Sequence, residues 1–272
     1  MSQHTIALIT GGNRGLGRAT ALALAEAGTD VVITYRSHKD EAAEVLDAIT
    51  ELGRTGVALE LDTSRSDAFP AFAESLRDAL RTTWDRDHFD FLVNNAGVAV
   101  FTPVGQTSVE AFDLLVDVHF KGVFFLTQTL LPLLADGGRI VNLSTGLTRF
   151  VGEGWSVYAS LKTAIETYTK YLAKELGPRG IAVNVVAPGP IGTDFGGGAM
   201  RDNEQLREQL AGNAALGRVG VPEDIGGAIA ANTPLGRHAV ADDIGPVIAS
   251  ILRDDNHWVT GQRIEAAGGF HL

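Results

Sequence analysis

Ile6-Ala7-Leu8-Ile9-Thr10-Gly11-Gly12-Asn13-Arg14-Gly15-Leu16-Gly17 decides the fold. Four apolar residues run straight into a glycine-rich turn, and an Ala/Leu-rich segment from Leu16 to Ala27 follows with helical periodicity. Glycines at 11, 15 and 17 permit a tight turn, close approach of backbone to a pyrophosphate, and close packing of helix on strand. The start of the helix offers unpaired N–H groups and a partial positive charge. A dinucleotide fits such a turn, with Asn13, Arg14 and Leu16 falling between the glycines in the same contact set. The spacing is Gly-x-x-x-Gly-x-Gly, not Gly-x-Gly-x-x-Gly.

Working outward, short apolar runs alternate with longer helical patterns. Strands are predicted at Ile6–Thr10, Val31–Tyr35, Val57–Leu61, Phe89–Asn94, Arg139–Ser144, Ala182–Ala187 and Gln262–Glu265. Helices are predicted near Leu16–Ala27, Lys39–Leu52, Asp67–Arg81, Val109–Leu134 and Val157–Leu176. This order predicts an α/β chain: one domain over residues 1–272, with a doubly wound, seven-stranded parallel sheet covered by helices on both faces. Its functional groups are expected past the carboxyl ends of the strands.

The second strand ends in Tyr35-Arg36-Ser37, where an NAD-binding chain would carry an acid for the ribose 2′-hydroxyl. Arg36, Ser37 and Arg14 suit a 2′-phosphate and favour NADP(H). Asp62, with Thr63 beside it, is placed to accept from an adenine amino group or to cap a turn, and Asn94 to fix backbone at the end of the fourth strand. Tyr158 and Lys162 lie four apart at the start of a helix and so share a face. An ammonium about 4 Å from the phenol would lower its pKa by at most about 3 units at an effective dielectric near 20.

Gly11-x-x-x-Gly15-x-Gly17, Asn94-Asn95-Ala96-Gly97, Ser144-Thr145, Tyr158-x-x-x-Lys162 and Pro188-Gly189-x-Ile191-x-Thr193, in this order, resemble the short-chain dehydrogenase/reductase family, and most of all its bacterial 3-oxoacyl-carrier-protein-reductase-like branch. The resemblance spans nearly the whole chain. It implies a Rossmann fold and hydride transfer between NADP(H) and a carbonyl or alcohol substrate. Tyr158 would be the general acid/base, and Lys162 would tune it and hold the nicotinamide ribose. Thr193 would hold the carboxamide, Pro188 and Gly189 would shape the backbone beside the ring with Ile191 in the same cofactor-binding set, and the segment Asn94, Asn95, Ala96 and Gly97 would brace the adenosine side. A homotetramer is also implied, through the helices near 109–134 and 157–176.

Two positions depart from the family pattern. The serine usually found 13 residues before the tyrosine is Thr145 here, preceded by Ser144, and either hydroxyl can donate to a substrate oxygen. The usual Val-Asn-x-x-Gly reads Val118-His119-Phe120-Lys121-Gly122. His119 would then bind a relay water, carry the proton itself near neutral pH, or be a packed helix histidine.

A formal charge of −11 argues against nucleic acid, and no run is read as long and apolar enough to span a bilayer. No cysteine is present, and the 7 histidines lack the paired spacing of a zinc site, so no metal is expected. The N-terminus leaves no room for a leader, which points to a cytoplasmic enzyme acting on a small molecule. A substrate lid is expected over 195–246. It contains a tandem duplication in which Leu216-Gly217-Arg218…Asp224-Ile225-Gly226 returns 19 residues later, and Pro246 is expected to kink or delay a helix in the second copy. The rival reading is a catalytically silent NADP-binding sensor or scaffold on the same fold, against which the presence of both Tyr158 and Lys162 argues.

Overall fold

The computed structural model describes residues 5–188 and 240–267. Seven strands, β1 (Ile6–Ile9), β2 (Asp30–Tyr35), β3 (Gly56–Glu60), β4 (Phe89–Asn94), β5 (Leu134–Leu143), β6 (Ala182–Pro188) and β7 (Arg263–Ala266), form one parallel sheet in the order β3-β2-β1-β4-β5-β6-β7. All seven expected strands are present, with ends shifted by a residue or two except at β5, which begins five residues earlier.

Alternation along each strand explains the layers, because successive side chains point to opposite faces. Ile6 and Leu8 meet Phe69, Leu76 and Leu80 of α3 (Phe69–Trp84), together with Leu126 and Leu130 of α5 (Val123–Leu130) and Leu172 of α6 (Ser156–Leu176). Ala7 and Ile9 point the other way. They meet Ala21 and Leu24 of α1 (Gly15–Glu26), Val45 and Ile49 of α2 (Lys39–Glu51), and Ile244 and Ile248 of α7 (Ala241–Ile251). Strands β1, β2 and β6 are buried along nearly their whole length, as a doubly covered sheet requires, whereas the edge strand β7 carries Arg263 and Glu265.

The helix expected over 109–134 is interrupted. α4 (Val109–Val116) passes into a π-helical turn, Asp117–Gly122, before α5. Gly122 makes the turn possible, since a Cβ there would lie 2.3 Å from the Thr63 carbonyl oxygen and 2.8 Å from that of Asp117. By length and composition Val109–Leu133 would also pass for a membrane-crossing helix, contrary to the sequence reading. Here it is a covering helix, with Leu126, Leu130 and Leu133 in the core.

Of the two effects expected of Pro246, a delay is absent: α7 begins at Ala241 and contains Pro246, and the Asp243 carboxylate accepts from the Val240 N–H at 2.8 Å and fixes the first turn. Most of the expected lid, the first copy of the duplication, and Gly189, Ile191 and Thr193 lie outside the described residues.

Candidate active site

Chain order places β2 and β4 on opposite sides of β1, so a crevice opens past the carboxyl ends of β1 and β4. The glycine-rich turn lines one side. Gly11 and Gly15 adopt φ of +63° and +55°, conformations that side chains resist. Gly17 has no room for a side chain, as a Cβ there would sit 2.2 Å from the Gly11 carbonyl oxygen. Thr10, which the expected site did not include, and Asn95, which lies within the expected Asn94–Gly97 segment, brace the turn against β4. The Asn95 amide donates to the carbonyls of Thr10 (2.8 Å) and Gly11 (3.1 Å), while the Thr10 hydroxyl accepts from the N–H groups of Asn95 and Ala96. The Asn-Asn doublet was the available signal, and strand alternation decides which member turns toward the crevice.

Asn94 turns the other way. It is buried and donates to Thr127 (3.0 Å) and Asn142 (2.8 Å), and Asn142 in turn donates to Thr169. Its expected place at the cofactor is therefore corrected to a polar tie joining β4, β5, α5 and α6 in the core. Asp62 takes the capping alternative, with Oδ1 accepting from the N–H and hydroxyl of Ser64. Thr63, Asn94 and Ala96 line a small cavity with Thr10. Gly97 follows, exposed beyond β4.

Asn13 donates to Glu41 at 2.6 Å, tying the turn to α2, and the partly buried Leu16 packs on the α1–α2 core. Arg14, Arg36 and Ser37 are exposed around the end of β2, next to the partly buried Tyr35. The described residues give neither arginine an acidic partner. A neutral glycine cradle beside two uncommitted guanidinium groups fits a dinucleotide carrying a 2′-phosphate.

Past β5, the candidate catalytic residues converge. Tyr158 and Lys162 are buried on the inner face of α6, and Lys162 Nζ donates to the Leu143 carbonyl at 2.7 Å while lying 5.8 Å from the Tyr158 ring centroid. The Thr145 hydroxyl bonds the phenol of Tyr158 and also accepts from Leu147 N–H at 3.3 Å. Ser144, the other candidate, is committed elsewhere, donating to Glu166 at 2.7 Å. Thr148 and Arg263 converge on the same Glu166 oxygen at 2.8 Å, and Arg263 also pairs with Glu265. This cluster clamps the 144–148 turn between α6 and β7, and so fixes Thr145.

The electrostatics differ from the sequence expectation. The phenol's pKa is raised, not lowered: burial dominates, and only the Thr145 hydroxyl acts against it. The Lys162 ammonium is engaged by a backbone carbonyl and does not offset the loss of water. Burial lowers Lys162 itself to about 8. His119 is fully buried and lowered to about 3 by burial and by the charge of Lys162, so it is neutral near pH 7 and does not carry a proton there. Its Nε2 lies 2.7 Å from the Val98 carbonyl, its Nδ1 is buried with no partner among the described residues, and its ring packs edge-on to Tyr158 at 5.0 Å.

The lysine shift has a measurable sign. With a folded pKa of about 8 against an ordinary value of 10.5, the unfolded chain holds more protons between those values, so stability rises with pH across that window. The wild type should gain about 2 kcal/mol in unfolding free energy from pH 8 to pH 10 relative to Lys162→Met. Equal pH slopes for the two proteins in denaturant titrations would show that the ammonium is not desolvated.

A family model described as enoyl-(acyl carrier protein) reductase matches residues 11–231. A hydroxynaphthalene reductase-like protein of Metarhizium brunneum is 36% identical over 97% of this chain and 94% of its own. The crystal structure of an angucycline C-6 ketoreductase with bound NADP superposes with a TM-score of 0.85 at 32% identity, covering 98% of this chain and 95% of that one. A short-chain dehydrogenase/reductase from Serratia marcescens superposes with a TM-score of 0.82 at 28% identity, covering 99% of each chain. With its parallel sheet, its glycine turn and matches that run almost end to end, the chain belongs to the short-chain dehydrogenase/reductase family.

Proposed function

We propose that this protein reduces a ketone or aldehyde carbonyl with NADPH and that Tyr158 delivers the proton. One observation carries the reading. A neutral, buried phenol, held by the Thr145 hydroxyl and backed by Lys162, stands past the carboxyl end of β5 in the same sheet edge as the glycine cradle. NADPH, when bound, supplies the hydride.

The chain's own groups supply the rest. The raised pKa keeps Tyr158 protonated at neutral pH, the state a general acid needs for carbonyl reduction. Thr145, fixed by the Glu166–Arg263 clamp, orients the phenol and is placed to donate to the carbonyl oxygen. Lys162, with Nζ 5.8 Å from the Tyr158 ring centroid, keeps a positive charge on the same helix face, and its own loss of a proton gives the reaction an alkaline limit near pH 8 in the free enzyme. The neutral His119 packs behind the phenol and presents Nδ1 only as an acceptor, so its part is to position Tyr158 and to take a hydrogen bond. Apolar rings at the surface of the long helices, Phe112, Phe125 and Tyr171, suit the subunit contacts of an oligomer.

NADPH and NADH oxidation should be followed in parallel across a panel of ketones. The reading expects turnover with NADPH and at least about a tenfold lower kcat/KM with NADH. Arg36→Ala should erase most of that preference, because a guanidinium pairs with phosphate and not with a ribose hydroxyl. Equal use of the two nucleotides would defeat the NADPH preference, and tight NADPH binding with no carbonyl reduced would favour the silent sensor.

A further inference from the structure

We propose that Phe101 and Trp155 form the wall of the substrate site and select a planar, fused-ring aromatic ketone. The proposal rests on the carbonyl-reducing reading of Tyr158 and names the substrate class that reading leaves open.

The rings form a continuous edge-to-face series leading outward from the candidate proton donor. Trp155, at the start of α6, meets Tyr158 with centroids 5.8 Å apart and planes at 72°, and Phe101 meets Trp155 at 6.4 Å and 79°. His119 closes the buried end. The series is built into the backbone. The N–H and hydroxyl of Thr102 both donate to the Gly154 carbonyl, at 2.8 and 3.2 Å, locking the segment after β4 to the segment before α6. Gly154 adopts φ +77°, and a Cβ there would fall 2.0 Å from the Phe101 ring, so the ring lies directly over the glycine backbone.

The surroundings are apolar although they face solvent. Phe101 is 52% exposed, Val104 88% and Val151 98%, a concentration of uncovered apolar surface that marks a binding site more often than a bare face. Between 98 and 104 no side chain is ionisable, and between 146 and 155 only Arg149 and Glu153 are. Arg149 is already paired with Glu265. A polyhydroxylated sugar would lose hydration without gaining partners here, and a chain of formal charge −11 repels a ketone carried on a polyanion. A flat arene gains on both counts. It extends the edge-to-face series, and its carbonyl reaches the neutral Tyr158 hydroxyl at the inner end.

The test compares 1-tetralone with cyclohexanone, cyclic ketones that differ by one fused arene, using the full-length protein with NADPH. KM for 1-tetralone should be roughly tenfold lower or more, the worth of one or two aromatic contacts plus buried area. Trp155→Ala and Trp155→Leu should collapse the ratio of the two KM values toward one, and Trp155→Phe should keep most of it. Equal KM values in the wild type overturn the proposal, as does a Trp155→Leu variant that discriminates as well as Trp155→Phe. So does a Trp155→Ala variant whose loss lies wholly in kcat and equally for both ketones, which would make the indole a support for Tyr158. Calorimetric binding of 1-tetralone to the NADP⁺ complex reads the wall without turnover. Tight binding that Trp155→Ala removes, with neither ketone reduced, keeps the wall and defeats the catalytic reading. Binding no tighter than that of cyclohexanone defeats the wall.

Discussion

Tyr158→Phe lowers kcat/KM for carbonyl reduction about a thousandfold, the middle of the range for a positioned general acid, and leaves NADPH affinity within a factor of about two. The asymmetry follows from what the hydroxyl does. The ring itself is held by Trp155 and His119, so the phenylalanine ring keeps the packing and removes only the oxygen bonded to Thr145. Because burial already keeps that oxygen protonated, its loss removes a donor and not a charge. Fluorescence titration with NADPH and initial rates with the best ketone of the panel measure the two quantities separately. A variant that binds NADPH and still turns over within tenfold of wild type would place the proton donor elsewhere.

Gly17→Ala abolishes dinucleotide binding, by at least about a hundredfold in Kd, and lowers the thermal midpoint by several degrees. One methyl group has this effect because it has nowhere to go. A Cβ at 17 falls 2.2 Å from the Gly11 carbonyl and 2.6 Å from the Asn95 amide, the two groups that close the turn on β4. Helix and turn must separate, which undoes both the close backbone approach and the Asn95 brace. Gly177→Ala is the matched control, since a Cβ there meets nothing within 4 Å. Fluorescence titration with NADPH and a thermal melt for each variant give the comparison, and similar losses in both would mean that the cradle is not what the substitution breaks.

The sheet was legible because every strand and its covering helix announce themselves by period and by the turn between them. The cradle was legible for a related reason: three glycines between a strand and an Ala-rich helix weaken the local structure unless something must approach the backbone closely. The side-chain assignments were less so. Which of Asn94 and Asn95 faces the crevice is set by the pleat at the strand end, and which of Ser144 and Thr145 is free is set by Glu166 and Arg263, residues 22 and 119 positions from Ser144 along the chain. The π turn around His119 shows locally only as Gly122, whose need for space arises from Thr63, distant in sequence. The phenol's pKa was read with the wrong sign for a physical reason. Spacing reveals a neighbouring ammonium but not the depth of burial, and not the Leu143 carbonyl that occupies that ammonium.

Catalysis as proposed requires Tyr158 and a bound nicotinamide to face one another across the carboxyl edge of the sheet. An experimental structure of the NADP⁺ complex tests this most directly. The pyrophosphate is expected on the amides opening α1, the 2′-phosphate between Arg14 and Arg36, and the reacting ring carbon positioned so that a carbonyl bonded to the Tyr158 hydroxyl lies ~3–3.5 Å from it. A dinucleotide bound outside this crevice, or a ring screened from Tyr158 by Trp155, would contradict it.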